Sequence, residues 1–395
     1  MKILLVNHFP LVGSGSGVYV TNIAQNLVKK GHEVCIIMPE NTTKIKEIPN
    51  VKIHPVYFKR EEIIKGQLDF NFVCFDSHPR SRLLFSEISD EQILQYEKAF
   101  RKAIEQEIQE FKPDIIHAQH IWIASAVATE YNIPVVITCH GSDIMGYNES
   151  DRYHHYVAKA INNCKRVIAI SNHNKEILNN MFEKDKDKII TISNGYDPDI
   201  FYREECSKEE VLKYFNINKK YDKIVCFAGR LTRNKGIDIL LNSAKIYEKD
   251  NILTIIAGRG SEYEVLYPLK QELGLKDVVF LGDMSHEELR KIYSISDICA
   301  VPSREEAFGL VALEALACGL PVIATKQGGM PDFVNDKVGI LIEKENVEQL
   351  ANAINEALNG KKTFDINYLQ EYAKKNYSQE ILMEKLLDIY EEIKK

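Results

Sequence analysis

The sequence predicts two doubly wound α/β domains in tandem, and three observations predict it. Short runs rich in Val and Ile alternate with longer stretches of helical periodicity, the pattern of parallel sheets covered by crossover helices. The alternation occurs twice in succession, with a charged, apolar-poor stretch over residues 202–222 between the two series. The chain, at 395 residues, also exceeds the roughly 250 to 300 residues at which one hydrophobic core stops growing.

In the first series the strands are expected over residues 2–7, 32–39, 51–58, 114–117, 134–140, 166–171 and 188–193. The second series places them over 223–229, 253–258, 278–282, 297–302, 321–325 and 339–342. Between the series, Arg203, Glu204, Glu205, Lys208, Glu209 and Glu210 predict a short helix and a linker. Domain boundaries follow at 1–203 and 204–377. Beyond the last strand come a helix over 347–358, a polar segment containing Gly360, and a final amphipathic helix over 378–393. Ligands of open α/β sheets bind beyond the carboxyl ends of the strands, so two such sheets are expected to enclose a cleft. Residues just after strands are therefore where chemistry is sought.

Composition excludes several classes. Hydrophobic residues at 45% and charged residues at 27% supply packed cores and rule out disorder, collagen and coiled coil. A net charge of −7 gives no global positive field for nucleic acid or an anionic membrane. The eight cysteines are scattered without a C-x-x-C pair and mostly sit in apolar runs, as core thiols of a reducing compartment do. Apolar stretches such as 121–128 fall far short of the roughly 18 residues a spanning helix needs. Too few apolar residues follow Lys2 for a signal peptide. The expectation is a soluble, cytoplasmic protein.

The most specific segment runs over 302–321, from a strand end through a loop into a helix that stops at Gly319. Glu306 lies in the loop and Glu314 more than a turn inside the helix, so the two carboxylates can touch different parts of one elongated ligand. An unpaired acid at 314, among Val311, Leu313 and Leu316, would be costly, which favours a ligand role over a structural one. The helix start near Gly309 and Leu310 offers free N–H groups and a positive dipole end to phosphate oxygens. Arg230 and Lys235 follow the first strand of the second domain directly. Fixed cations there can neutralise a departing nucleoside diphosphate without a metal.

No metal site is expected. Asp185 with Asp187 falls in a charged turn, Asp197 with Asp199 follows an Asn-Gly turn, and the eleven histidines show no ligand constellation. The first strand runs into Gly13-Ser-Gly-Ser-Gly17, where Gly15 and Gly17 let the backbone approach an anion. Val18 stands where a dinucleotide fingerprint needs its third glycine, although Glu40 after the second strand imitates a ribose acid; a nicotinamide dehydrogenase is the disfavoured alternative. His140 ends a strand and opens His140-Gly-Ser-Asp143, so it is expected to face a ligand; His117 and His120 are weaker candidates.

Together these segments resemble the retaining glycosyltransferases of the GT-B fold in glycosyltransferase family 4. The resemblance spans nearly the whole chain: the glycine loop with Gly31-His-Glu-Val34, His140 to Asp143, Asn194-Gly-Tyr-Asp197 with Phe201, Arg230 to Lys235, Gly258-Arg-Gly260 with Glu262, the Glu306/Glu314 motif, and Gly328-Gly-Met-Pro-Asp332. It implies two Rossmann-like domains, acceptor-side and then nucleotide-sugar-binding, with residues 378–395 crossing back onto the first. It implies that Glu306, with the N–H groups of Phe308, Gly309, Leu310 and Val311, holds the donor sugar and phosphate. Glu314 would bind ribose, Arg230 and Lys235 the diphosphate, and His140 the sugar, while Gly15 approaches the phosphate and Gly258 to Glu262 and Gly282 flank the base. Ser14 stands where many relatives have glycine, and Asp332 where glutamate is common.

The implied reaction is retaining, metal-independent transfer of a hexose or N-acetylhexosamine from a nucleoside-diphosphate sugar, UDP-sugar first, to an acceptor hydroxyl on a small molecule, glycolipid or glycan, with no cofactor. The alternatives are a nucleotide-sugar-binding protein without transferase activity and a nucleotide-sugar epimerase. The stretch 151–166, with Arg152, His154, His155, Lys159, Lys165 and Arg166, is read as a solvated basic face. Weak peripheral contact with the inner face of a membrane is its alternative.

Overall fold

The computed structural model describes residues 1–60, 64, 66–76, 78–247 and 251–394. By contacts the chain divides into two compact units, one comprising Met1–Ser193 and Leu382 onward, the other Asn194–Ile381.

The strands of the first unit are β1 (Lys2–Val6), β2 (Glu33–Glu40), β3 (Val51–Tyr57), β4 (Ile115–Gln119), β5 (Val135–Cys139), β6 (Arg166–Ala169) and β7 (Ile189–Thr191). They form a wholly parallel sheet in the order β3-β2-β1-β4-β5-β6-β7. Helices α1 (Gly15–Lys29), α2 (Asp90–Glu110), α3 (Ile123–Ala128), α4 (Ser142–Glu149), α5 (His154–Asn163) and α6 (Asn172–Met181) belong to the same unit. Central strands such as β1 bury both faces. Leu4 and Val6 enter a core shared with α2, α3 and α5, while Ile3 and Leu5 enter a second core with α1. Helix starts are capped by short polar side chains: Ser14 Oγ accepts from Gly17 N, and Ser89 with Gln92 forms a capping box.

The second unit repeats the plan with β8 (Lys223–Ala228), β9 (Ile252–Ala257), β10 (Val278–Gly282), β11 (Ile298–Val301), β12 (Val322–Thr325) and β13 (Gly339–Ile342), parallel in the order β10-β9-β8-β11-β12-β13. Its helices are α7 (Lys208–Tyr214), α8 (Ile237–Tyr247), α9 (Tyr263–Glu272), α10 (His286–Ile295), α11 (Leu310–Ala317), α12 (Met330–Phe333), α13 (Val347–Leu358) and α14 (Ile366–Tyr377). The last helix, α15 (Gln379–Lys394), places Leu382, Met383, Leu386 and Tyr390 in the second core of the first unit. There the Tyr390 hydroxyl bonds His117 Nδ1 at 2.7 Å, and His117 Nε2 bonds Thr138 Oγ1 at 2.7 Å. His117 is thus a buried tie between β4, β5 and α15, and burial pushes its imidazole down to about 3.

Two differences from the sequence reading have physical causes. The polar segment expected after α13 contains α14, which buries only Leu369 and Ala373 among its residues, too thin a stripe to register as a periodic pattern. Asp365 starts it by accepting from Asn367 N and Tyr368 N. Residues 194–203, assigned above to the first domain, pack in the second unit: Tyr196 N donates to Tyr377 O (3.0 Å) and Arg290 Nη1 to Ile200 O (3.0 Å).

Because α15 completes a core, trimming it acts on the first unit. Leu386→Ala, at a fully buried position, is expected to cost about 2–4 kcal/mol through the cavity it leaves. Tyr390→Phe, which strands His117 Nδ1, is expected to cost about 1–3 kcal/mol. Urea denaturation checks both, and an unchanged midpoint for Leu386→Ala would remove α15 from that core.

Candidate functional site

In the second unit the candidate residues stand on loops that leave the carboxyl ends of β8, β9 and β11. The Lys235 ammonium reaches Glu306 Oε2 at 2.7 Å, and Ser303 Oγ donates to the same oxygen at 3.3 Å. Both side chains are largely enclosed, at 26% and 13% exposure, so this pair is less screened than a surface one. Arg230 is exposed one residue beyond Gly229 and makes no ion pair among the described residues. Lys235 and Glu306 are therefore brought together, with Arg230 free at the rim of the same loop.

What fixes these two loops is a residue the sequence reading passed over. The Arg304 guanidinium grips both oxygens of Asp238 (2.8 and 2.7 Å), donates to Arg233 O (2.7 Å) and also bonds Glu345. Its backbone N donates to Asn234 O at 2.7 Å, and Asn234 Nδ2 donates to Glu305 at 3.0 Å. A bidentate arginine holds a geometry that a single charge cannot. Only long-range pairing with Asp238 and Glu345 reveals this role, and neither partner is near Arg304 in sequence.

Phe308 is buried against Phe333, with ring centroids 5.2 Å apart, and Gly309, at φ 105°, caps α11. Leu310 and Val311 open that helix, where first-turn N–H groups have no helical acceptor. Gly258 and Gly260 have no room for a side chain: a Cβ would meet Gly229 O at 1.9 Å and Leu231 O at 2.1 Å. Their lack of a side chain thus serves loop packing first, whatever lies beyond. Gly282 O accepts from Gly258 N at 2.7 Å, and Glu262 begins α9 with its own N–H on Leu231 O (3.0 Å). Burial pushes the Glu314 carboxyl up to about 8. The Tyr293 hydroxyl in the same surroundings is buried without a partner among the described residues.

In the first unit, His140 Nε2 donates to Gln119 Oε1 at 2.9 Å, and its ring lies 4.8 Å from that of His120 and 5.1 Å from that of Tyr19. Burial lowers His140 to about 3 and His120 well below its usual range, so both are neutral. Asp143 is the unassigned member of that motif. Its Oδ1 accepts from Gly141 N (2.8 Å) and its Oδ2 from Ile121 N (2.9 Å), which fixes the turn carrying His140 against the end of β4. The pairing with Ile121 is non-local, and no spacing rule exposes it.

Gly15 is exposed at the start of α1 with open space around it, whereas Gly17 is buried, its N–H taken by Ser14 and its Cβ position 2.3 Å from Pro10 O. Of the pair, only Gly15 has its surroundings open to a ligand. The basic stretch near α5 is largely neutralised: Arg152 pairs with Asp90 (2.6 Å), Lys159 with Glu130 (2.6 Å), and Arg166 with Glu392. These pairs remove most of the free charge on which a membrane contact would rest. Among the described residues no helix is long and apolar enough to cross a membrane, and no group of three or more His, Cys, Asp or Glu side chains is gathered to hold a metal ion.

Comparison with known proteins agrees with this architecture. Residues 13–200 match the family model described as Glycosyltransferase Family 4, and residues 208–377 the model described as Glycosyl transferases group 1. An uncharacterized glycosyltransferase of Methanocaldococcus jannaschii is 26% identical over 99% of this chain and 98% of its own length. A second from that organism is 30% identical over 71% of this chain and 76% of its own. The D-inositol 3-phosphate glycosyltransferase of Corynebacterium aurimucosum is 27% identical over 88% and 85%. Among solved structures, sucrose-phosphate synthase from Thermosynechococcus elongatus gives a TM-score of 0.77 at 22% identity, covering 99% of this chain and 98% of that one. Anabaena HepE, solved in complex with UDP, gives 0.76 at 18% identity, covering 99% and 100%. With two parallel Rossmann-like sheets, a last helix packed on the first unit and relatives aligned along almost the whole sequence, the chain belongs to the group 1 glycosyl transferases of glycosyltransferase family 4, transferases of the GT-B fold.

Proposed function

We propose that the chain transfers a hexose or N-acetylhexosamine from a nucleoside-diphosphate sugar, UDP-sugar first, to an acceptor hydroxyl, with retention of configuration and without a metal. The observation that carries this reading is the Lys235–Glu306 pair at 2.7 Å beside an unpaired Arg230. A donor entering there can exchange one internal ion pair for two ligand contacts: Lys235 turns with Arg230 to the diphosphate, and Glu306 accepts from sugar hydroxyls. Two fixed cations neutralise the departing diphosphate as a metal would. The UDP complex of HepE, a structure of the same fold, supports a nucleotide-sugar donor.

Retention is the outcome the resemblance to family 4 implies, and the groups available to take the acceptor proton are compatible with it. With its imidazole lowered to about 3 by burial, His140 is too weak a base for a hydroxyl and serves as a hydrogen-bonding contact to the sugar. Glu305, beside Glu306, is held by Asn234. In this reading the departing phosphate oxygen is the base, as the family resemblance implies. As the bond from the anomeric carbon to that oxygen breaks, the acceptor oxygen bonds the same face and its proton passes to the phosphate.

A Glu306→Ala, Arg230→Ala double variant is expected to lose at least about a hundredfold in turnover. Near-wild-type turnover sinks the assignment. Activity is expected to survive EDTA, and NMR of the product is expected to show the donor's anomeric configuration. Sugar change in the donor alone, without acceptor, would favour an epimerase instead.

Glu314 adds a pH signature. Raised to about 8, its carboxyl is mostly protonated at pH 7 in the empty protein. Ribose hydroxyls donating to the ionised form pull that value down, so binding releases a proton below about pH 8. Nucleoside diphosphate affinity then rises with pH from 6 to 8, by at most about tenfold per unit. Calorimetry in two buffers of different ionisation enthalpy reads the proton directly. Glu314→Gln is expected to abolish the slope, and proton uptake or buffer-independent heats would remove Glu314 from the ribose.

A further inference from the structure

Beyond the carboxyl ends of β1 and β2, in the first unit, lies a cavity of about 250 Å³ lined by Leu11, Val12, Met38, Glu40, Thr42, Lys44, Lys46 and Arg80. None of these residues is used in the transfer chemistry above. Its charge is unbalanced, with three cations against the single carboxylate of Glu40. That carboxylate is spent on construction. Buried to 3% exposure, it accepts from Asn41 N (2.8 Å), from Thr42 N (3.1 Å) and from both terminal nitrogens of Arg80 (2.5 and 3.3 Å). The acid that imitates a ribose ligand in the sequence is thus an anchor for an arginine.

Arg80 is fixed from its backbone as well. Its N–H donates to His78 Nδ1 (3.1 Å), and its carbonyl accepts from Asn41 Nδ2 (3.2 Å) and Asn71 Nδ2 (2.9 Å). A solvated arginine on a loop needs no such support. Lys44 and Lys46 follow the turn that Glu40 pins and make no ion pair among the described residues. Leu11, Val12 and Met38 supply an apolar wall, and Thr42 supplies a hydroxyl. The volume lies below the roughly 300 Å³ at which drug-sized pockets begin. It suits a small metabolite better than a glycan chain.

We propose that this cavity is an anion subsite that recognises a small hydroxylated acceptor by its phosphate or carboxylate group, held by Arg80, Lys44 and Lys46. The word acceptor rests on the transferase reading above; the anion site does not. Its position agrees with the rule that doubly wound sheets bind ligands beyond the carboxyl ends of their strands.

The test uses the full chain saturated with UDP, so that Arg230 and Lys235 are already occupied. Calorimetric titrations with glycerol 3-phosphate, glycerol and tartrate are compared at low and moderate salt. The two anions are expected to bind, more weakly as salt rises, and glycerol is not. A Lys44→Ala, Lys46→Ala double variant, on an exposed loop with no structural bonds to lose, is expected to weaken both anions about tenfold or more. Its UDP affinity is expected to stay unchanged. Arg80→Ala is expected to do the same, and the lysine variant keeps the test valid if loss of Arg80 unfolds the loop. Equal anion binding in the lysine variant, or no anion binding by wild type that binds UDP, overturns the proposal. If wild type fails to bind UDP, the donor reading falls, and the same anion titrations, read against the lysine variant, still decide the cavity. Preference for tartrate identifies a carboxylate acceptor, and preference for glycerol 3-phosphate a phosphate ester.

Discussion

In the second unit the loops that carry the candidate residues touch one another backbone to backbone, and everything placed on them depends on that contact. A Cβ at Gly236 would meet Pro302 O at 2.1 Å, and one at Gly328 would meet Glu306 O at 1.4 Å. With so little space, the loops after β8, β11 and β12 behave as one layer rather than three flexible connections. Arg304 then locks the first two together through Asp238, Arg233 and Glu345. Lys235 and Glu306 stand at hydrogen-bonding distance on backbones that cannot slide past one another.

The first unit solves a different problem, that of burying many polar groups at the strand ends. His8, His117 and His140 are each lowered to about 3 by burial, and His120 shifts in the same direction. All four are neutral at physiological pH. Three of them bond neutral partners: Tyr96 for His8, Tyr390 and Thr138 for His117, Gln119 for His140. No counter-ions are needed, so the wall beneath the strand ends stays rigid across the ordinary pH range. Where this unit does bury an acid beside the end of β2, at Glu40, it pairs it with Arg80.

The strands were legible almost residue by residue, because in parallel sheets both faces are buried and Val, Ile and Ala cluster without interruption. That Glu306, Lys235 and Arg230 stand on loops beyond strand ends was legible, because each lies within several residues of an apolar run. What the sequence hid is of one physical kind. Asp143 works through Ile121, Gln119 through His140, and Arg304 through Asp238 and Glu345. Each is a polar side chain whose purpose lies in a partner brought near only by folding. Helix α14 was hidden for a related reason: its stability comes from a cap and two buried residues packed on α11, not from its own periodicity. Glycines carry a second constraint that the sequence does not display. Gly17, Gly258 and Gly260 read as ligand-facing, yet each is first required by a neighbouring carbonyl.

The placement of α15 also bears on how the chain is made. The first unit is synthesised first, but the core it builds with α1 is completed only when Leu382, Met383, Leu386 and Tyr390 arrive. At ordinary elongation rates of about 5–20 residues per second, the intervening chain takes roughly 10 to 40 s to emerge. Through that interval the nascent domain carries an apolar groove meant for its own last helix, while the second unit has every strand it needs as soon as it leaves the ribosome. The half of the protein that begins first therefore finishes last.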